Sequence, residues 1–173
     1  MIVKLDMANA FDRVSHPYLM VVLQKLGFSE EITGVIQACI ATPWIAPLIN
    51  GRPSDFFQST RGLRQGCPLS PFLYIIMAET LSIALEAQRK EIAITGIRIA
   101  KGIKTINRSL FADYTLLLGG ASTIIAKSLK KTLDKFLQVS SGLLNNIKCR
   151  IYGLNVPPRI MQRISQIMEI PAQ

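Results

Sequence analysis

Two aspartates stand at the ends of short apolar segments, Asp6 after IVKL and Asp113 within SLFADYTLLLGG. The second segment predicts two strands joined by an acidic turn and ended by a glycine pair. If the strands that carry these aspartates are neighbours in one sheet, both carboxylates meet at its edge. Paired carboxylates suit Mg²⁺, and two such ions about 3.5–4 Å apart serve in-line attack at phosphorus. Taken by itself, Asp113 is more typical of an ordinary hairpin turn.

The loop RGLRQGCPLSP at residues 61–71 adds a second chemical feature. It contains two glycines, two prolines and two arginines. We expect the backbone N–H groups of Gly62 and Gly66, together with the Arg61 and Arg64 side chains, to cradle a polyphosphate. The loop therefore favours a site for metal and phosphate over an isolated turn.

Charge is distributed unevenly along the 173 residues, which are enough for one domain with a core. Residues 1–86 contain six Lys/Arg and seven Asp/Glu, and residues 87–173 contain fourteen and four, so the two halves carry −1 and +10. This asymmetry indicates a polyanion held on one side, with a generic solvated basic surface as an equal alternative.

The cysteine and histidine content argues against a structural zinc site. Cys39, Cys67 and Cys149 form no C-x-x-C pair, and His16 is the single histidine. We expect three buried free thiols in a reducing compartment. His16 precedes a proline at a helix start, where we expect it to cap or pack.

No membrane span is predicted, because the apolar segment 72–87 is interrupted by Glu79 and Glu86. No basic-then-apolar leader with a cleavage site indicates secretion. We therefore expect an intracellular protein, with nucleus and cytoplasm both open. The high apolar content predicts a surface that a partner or another part of the same protein covers.

Hydrophobic periodicity and turn signals predict an α+β fold, with a small antiparallel sheet and helices over one face. The predicted strands are 2–6, a hairpin at 44–60 around Asn50-Gly51, a hairpin at 94–105, the hairpin at 109–120 and one strand within 143–155. The predicted helices are 15–27, 29–40, 71–90, 121–139 and a last one from 157, which we expect to be scarcely supported.

Two helices carry predicted core stripes near a 3.6-residue period. The first stripe is Leu73, Ile76, Met77, Leu81 and Leu85. The second is Ile124, Ile125, Leu129, Leu133, Phe136 and Leu137, with Lys127, Lys130, Lys131 and Lys135 on the solvated face.

Four segments, in chain order, resemble palm motifs A to D of reverse transcriptases of non-LTR (LINE-like) retroelements, especially those of plants. They are KLDMANAFDRVSHPYL, NGRPSDFFQSTRGLRQGCPLSPFLY, LFADYTLLLG and SGLLNNIKC. The resemblance covers most of residues 2–155, and group II intron and bacterial reverse transcriptases match less well. It implies a polymerase palm at 1–155 and an incomplete helical tail at 156–173.

The resemblance assigns a role to each matching residue. Asp6 and Asp113 would be the catalytic Mg²⁺ ligands, and Lys148 would protonate the pyrophosphate leaving group. Phe11 would exclude a ribose 2′-OH, and the remaining nucleotide and template contacts would come from Arg64, Gln65 and Gly66. Asp12 is expected to be a local hydrogen-bonding residue rather than a ligand. The implied partners are an RNA template, a DNA primer and deoxynucleoside triphosphates.

The sequence departs from the family pattern at Tyr114, where a third carboxylate is expected. A phenol is neutral at neutral pH, so Tyr114 should weaken Mg²⁺ binding and the positioning that phosphoryl transfer needs. Cys149 and Leu118 replace a usual serine and a usual aromatic residue. Complete fingers and thumb segments are also expected to be missing, and the same polyprotein is the expected source of them.

Three functions follow as hypotheses. The first is a truncated RNA-directed DNA polymerase with impaired or no activity. The second is a non-catalytic basic module that binds RNA or an RNA–DNA hybrid through residues 87–163. The third is an α+β fragment that has kept no activity.

Overall fold

The computed structural model of the protein describes residues 1–91, 96, 106–111 and 113–173. The elements in chain order are β1 (Ile2–Asp6), α1 (His16–Lys25), α2 (Glu30–Ala41), β2 (Trp44–Ile45), β3 (Leu48–Ile49), β4 (Arg52–Pro53), β5 (Phe57–Gln58), α3 (Ser70–Glu91), β6 (Arg108–Phe111), β7 (Tyr114–Leu118), α4 (Thr123–Ser140), β8 (Arg150–Tyr152) and α5 (Pro158–Met168). The predicted hairpin at 94–105 lies outside the described residues.

The chain divides into two compact units. The first comprises Met1–Ala8, Glu79–Gln138 and Gly142–Gln173, and the second comprises Asn9–Ala78 and Val139–Ser141. The predicted boundary between a palm at 1–155 and a tail at 156–173 stays a prediction.

The first unit is built on an antiparallel sheet with strand order β6-β7-β1-β8. Side chains alternate across its two faces. One face is buried: Val3, Leu5 and Ile151, which lie on it, are completely inaccessible to solvent. Lys4 and Leu116 lie on the other, half-exposed face. The predicted α+β fold, with an antiparallel sheet and helices over one face, is confirmed.

The helices of the first unit bury apolar stripes, as the periodicity predicted. Leu81 and Leu85 of α3 are buried, and so are Ile125, Leu129, Leu133 and Phe136 of α4. The prediction for Ile124 is wrong, because its side chain is 69% exposed. At 100° per residue Ile124 falls on the same helical arc as Lys127 and Lys131, which face solvent.

The last helix is well packed, so the expectation that it is scarcely supported is wrong. Ile164 and Met168 of α5 are buried, as is Ile170 after it. The chain end then runs beside β8, where the Ile151 N–H donates to the Pro171 carbonyl at 2.9 Å. The Gln173 N–H donates to the Ile151 carbonyl at 2.8 Å.

The second unit holds α1, α2 and the predicted hairpin. Ser15 and Ser29 cap the two helices by accepting from the Tyr18 and Ile32 N–H groups. In the hairpin β2 pairs with β5 and β3 with β4. Its tip is Asn50-Gly51, with φ of 51° and 78°, which is the positive pair that a type I′ turn requires.

The cysteines are free, as predicted, but they are not all buried. Cys149 is buried, whereas Cys67 is half-buried and Cys39 is exposed. Cys39 lies near the end of α2, whose core contacts come from Thr33 and Ile36 on another side of the helix. The prediction of three buried thiols is therefore wrong for two of them.

Helix α3 is long and apolar enough, by length and composition, to cross a membrane between Ser70 and Gln88. The core helix of a soluble protein meets the same criterion, and 39% of this segment is buried. Glu79 and Glu86, the two glutamates between Ser70 and Gln88, lie 3.8 and 3.5 Å from the Arg108 guanidinium of β6. The absence of a membrane span stays a prediction.

Candidate active site

Asp6 ends β1 and lies opposite Tyr114, the first residue of β7. Just beyond this pair, the Met7 N–H donates to the Asp113 carbonyl at 3.1 Å. The two aspartates therefore lie at the same edge of the sheet, where β1 ends and β7 begins. This juxtaposition is the one that the sequence predicted for a paired site.

The Asp6 carboxylate is buried, with 1% of the residue exposed. Its Oδ2 atom has no hydrogen-bond partner among the residues that the structure describes. Stripping water from a carboxylate oxygen costs several kcal/mol unless a cation or a donor replaces that water. The arrangement is thus unfavourable in isolation and suits an added positive charge.

The backbone of Asp6 is fixed by the segment before β8. The Asn145 N–H donates to the Asp6 carbonyl at 2.8 Å, and the Asp6 N–H donates to Cys149 Sγ at 3.3 Å. Burial raises the pKa of the Cys149 thiol, so the thiol is neutral at neutral pH. Neither contact was predicted, because a lone cysteine far along the chain gives no signal for a particular backbone partner.

Lys148 is the side chain that approaches Asp6 from the same segment. Its Nζ lies 4.0 Å from Asp6 Oδ2, while 58% of its side chain is exposed. Such a long and largely solvated pair contributes little to stability. The ammonium group therefore lies beside the carboxylate while remaining largely in solvent.

Tyr114 occupies the position beside Asp113 that would carry a further carboxylate. Lys4 Nζ lies 5.1 Å from the centre of the Tyr114 ring, a cation–π distance. In the described part of the chain, no cluster of three or more His, Cys, Asp or Glu side chains could hold a metal ion. The pair of aspartates is therefore not completed by a third acidic ligand there.

The residues present fit a divalent cation. The orphaned, buried Asp6 Oδ2 is an anionic oxygen without a protein donor, and Asp113 supplies a second carboxylate at the same strand end. Oxygen-only ligation by few carboxylates is typical of Mg²⁺, which keeps several waters and takes other ligands from phosphates.

The second unit contains the other predicted site residues. The Phe11 ring stacks on Tyr74, with ring centres 5.0 Å apart. Gln65 Nε2 donates to Asp12 Oδ1 at 3.1 Å, so this contact of Asp12 joins residues 53 positions apart and is not the local one that was predicted. Arg64 and Gly66 are exposed in the same loop as Gln65.

The loop at 61–65 is bound to the segment that follows Asp6 in the chain. The Gly62 N–H donates to the Val14 carbonyl at 2.7 Å, and the Leu63 N–H donates to the Phe11 carbonyl at 2.8 Å. His16 is buried, and its Nε2–H donates to the Gly62 carbonyl at 2.6 Å. His16 therefore packs, as expected, and the prediction that the Gly62 N–H cradles phosphate is wrong.

A cleft of about 530 Å³ opens beside this loop within the second unit. Arg61, Arg64 and Gln65 contribute its polar wall, and Ile45 and Phe57 are part of its apolar wall. Cys67 also lines the cleft, and a hydrogen bond from the Leu69 backbone lowers the pKa of its thiol. Part of the apolar wall comes from β2 and the end of α2, which precede the matching motif segment at residues 50–74.

Comparisons with known proteins agree with this geometry. The family model for reverse transcriptase (RNA-dependent DNA polymerase) matches residues 1–159. An uncharacterized mitochondrial protein of Arabidopsis thaliana is 43% identical over 68 residues, which are 39% of this chain and 56% of that protein. The Pol polyprotein from the type-1 retrotransposable element R2 of Popillia japonica is 29% identical over 148 residues.

The latter match covers 86% of this chain and 23% of the polyprotein, so the chain spans only part of these relatives. Among solved structures, telomerase from Candida albicans is similar in fold, with a TM-score of 0.65 at 16% identity. That match covers 90% of this chain and 27% of the telomerase chain. With the family model matching most of its length, the chain belongs to the reverse transcriptase family, and its fold is that of a polymerase palm.

Proposed function

We propose that this chain is the palm of a non-LTR RNA-directed DNA polymerase, that Asp6 and Asp113 hold its metal, and that Tyr114 impairs its activity. The observation that carries the proposal is the buried Asp6 Oδ2, which accepts no hydrogen bond from the described residues and has only the largely solvated Lys148 ammonium group 4.0 Å away. Buried carboxylate oxygens normally have a partner, and a bound cation would satisfy this one.

In this mechanism Asp6 and Asp113 bind the divalent ion, proposed to be Mg²⁺. When bound, the ion supplies a positive charge that activates the attacking 3′-hydroxyl and stabilises the leaving pyrophosphate. Lys148, whose Nζ is 4.0 Å from Asp6 Oδ2, donates a proton to the departing pyrophosphate oxygen. Cys149 and Asn145 hold the Asp6 backbone, so the carboxylate keeps its direction through the reaction.

The nucleotide contacts are proposed to come from the second unit. The stack on Tyr74 restrains the Phe11 ring, and a restrained aromatic ring can exclude a 2′-hydroxyl group. Arg64, Gln65 and Gly66 then contact the incoming triphosphate and the template. RNA template, DNA primer and deoxynucleoside triphosphates are the proposed partners, together with fingers and thumb segments of the same polyprotein. The proposed location is intracellular, in nucleus or cytoplasm.

Tyr114 is the reason to expect impaired activity. A carboxylate there would add a negative charge beside Asp113, and the number of charged ligands tunes the affinity of such oxygen sites for divalent ions. The tyrosine adds none, and its ring lies instead near the Lys4 ammonium group.

Primer extension on an RNA template, with deoxynucleotides and Mg²⁺, tests the proposal in a chain to which fingers and thumb segments have been restored. We expect Tyr114→Asp to raise the rate of nucleotide addition by at least about tenfold over the unmodified chain, which corresponds to about 1.4 kcal/mol in the barrier. Asp6→Asn in the Tyr114→Asp background should abolish that gain. Equal extension by the unmodified chain and Tyr114→Asp would contradict the role given to Tyr114.

A second candidate is a non-catalytic module that binds RNA or an RNA–DNA hybrid. Two features favour it: residues 87–173 carry a net charge of +10, and Tyr114 stands where a catalytic carboxylate is expected. Such a module would bind RNA equally well with Asp6→Asn. RNA binding by the palm should instead depend on divalent ions, and Asp6→Asn should remove that dependence. A binding titration with and without Mg²⁺ separates the two.

A further inference from the structure

Helix α4 carries a row of lysines on its exposed side, formed by Lys127, Lys131 and Lys135. We call these three residues the α4 lysine row. A spacing of four residues corresponds to 6 Å along a helix, so the row extends over about 12 Å. Each step of four residues also rotates by only about 40°, so the three ammonium groups lie on one side of the helix.

The carboxylates near the α4 lysine row are already engaged by another residue. Lys130, on a neighbouring arc of the helix, lies 3.0 Å from Asp134 Oδ1 and 2.8 Å from Glu169 Oε2. These two are the only acidic residues between 121 and 173, a stretch with eight Lys/Arg. No ion pair joins the row to a carboxylate among the residues that the structure describes.

We infer from the pattern of burial that the row lies on the opposite side of the sheet from the paired aspartates, within the first unit. The sheet has one buried face, marked by Val3 and Leu5, and the apolar stripe of α4 is buried within the same unit. Asp6 belongs to the other face by register, since it follows Lys4 by two positions on β1. A helix that covers the buried face points its exposed side away from the sheet, and thus away from the aspartates.

From this arrangement we propose that the α4 lysine row binds the phosphate backbone of a nucleic-acid strand at a site separate from the paired aspartates. Lysines at a regular spacing, without interleaved aromatic residues on the same arc, contact phosphates and do not read bases. The partner to which we commit is a single strand of RNA, the template of the proposed function, bound through its phosphates without sequence preference. The choice of nucleic acid as the partner rests on the proposed function, whereas the position of the site does not.

A membrane surface is a poorer partner for this helix. Amphipathic helices bind bilayers by inserting their apolar face among the lipid chains. The apolar face of α4 is committed to the core, where Leu129 and Leu133 are 4% and 1% exposed. Within α4, Ile124 and Val139 are the exposed large apolar side chains beside the row, one at each end of it.

The test compares two double variants with the same change in net charge. Lys127→Gln with Lys131→Gln removes two of the three row charges, and Lys25→Gln with Arg52→Gln removes two exposed charges in the second unit. All four residues are exposed, so both proteins should fold, which circular dichroism checks. The measured quantity is the affinity of the full chain for mixed-sequence single-stranded RNA of about 20 nucleotides across salt concentrations.

Each phosphate contact on a single strand adds about 0.7 to the slope of log affinity against log salt. We expect the row variant to lose about 1.4 from that slope, and the Lys25/Arg52 variant to keep the unmodified slope. Equal slopes for the two variants would overturn the proposal. So would loss of binding to phosphatidylserine vesicles by the row variant with RNA binding unchanged.

The same titration with Asp6→Asn keeps this inference distinct from the polymerase proposal. We expect Asp6→Asn to leave the salt slope for RNA unchanged, because the row does not depend on the paired aspartates. A slope that falls with Asp6→Asn and not with the row variant would place the phosphate contacts at the aspartates and contradict the separate site.

Discussion

Gly62 offers the sharpest test of how the site loop is held. Its φ is +89°, and a Cβ atom at this position would lie 2.7 Å from the Asp12 carbonyl oxygen. That Cβ would also lie 2.9 and 3.0 Å from two further Asp12 backbone atoms. Backbone atoms cannot move aside as a flexible side chain does, so Gly62→Ala must separate the loop from the segment that contains Asp12.

Gly66 is the matched control, because its φ is +84° and a Cβ there meets nothing within 4 Å. Both alanine variants have the cost of a positive φ, about 1–2 kcal/mol, and both lose the same entropy in the unfolded state. Only Gly62→Ala adds a steric clash, which costs about 1–3 kcal/mol. For a chain of this size, about 2 kcal/mol corresponds to a difference in Tm of about 4–8 °C.

Thermal unfolding followed by circular dichroism measures this difference directly. Gly27→Ala provides a second control, since its φ is +90° and its surroundings are also open. We expect Gly62→Ala to unfold at a clearly lower temperature than the Gly66 and Gly27 variants. Equal midpoints for all three variants would refute the close approach of the loop to Asp12.

Three further predictions concern the first unit. Ile164→Ala should lower the free energy of unfolding by about 2–5 kcal/mol in urea titrations, because Ile164 is fully buried, whereas Leu154→Ala, at an exposed residue, should change it by less than about 0.5 kcal/mol. A hydrogen bond from Lys130 lowers the pKa of Glu169, so the stability that this ion pair contributes is present above the ordinary pKa and is lost as pH falls. The loss of stability between about pH 6 and about pH 3 should therefore be smaller in Glu169→Gln than in the unmodified chain. An unchanged pH dependence would contradict the pair. Cys149 should resist iodoacetamide at neutral pH in the folded protein, because it is buried and burial raises the pKa of its thiol. The exposed Cys39 should react. Mass spectrometry of the labelled peptides measures both.

Local signals predicted much of the fold. Ser15 and Ser29 predicted two helix starts, and Asn50-Gly51 predicted the hairpin tip. Such predictions succeed because helix caps and type I′ turns depend on few neighbouring residues. The end positions of Asp6 and Asp113 on apolar strands also predicted their approach, since β1 and β7 are neighbours. The residue roles that the family resemblance supplied stay predictions.

Long-range partners could not be predicted from the sequence. The Gly62 N–H is taken by Val14, and the Asp6 N–H by Cys149, 143 residues away. Such pairs depend on how whole elements dock, and composition near either residue gives no sign of the other. The packing of Ile164 was missed for the same reason, since the burial of a helix near the chain end depends on how that helix docks on the rest of its unit.

Divalent-cation affinity is the most direct test of the central claim, that the paired aspartates form a metal site which Tyr114 weakens. Isothermal titration with Mg²⁺ should give weak binding to the unmodified chain and none to Asp6→Asn. Tyr114→Asp should bind at least about tenfold more tightly, because it adds a charged ligand beside Asp113. Tyr114→Phe, which removes only the hydroxyl group, should match the unmodified chain. Affinity that is unchanged by Tyr114→Asp, or that survives Asp6→Asn, would contradict the account.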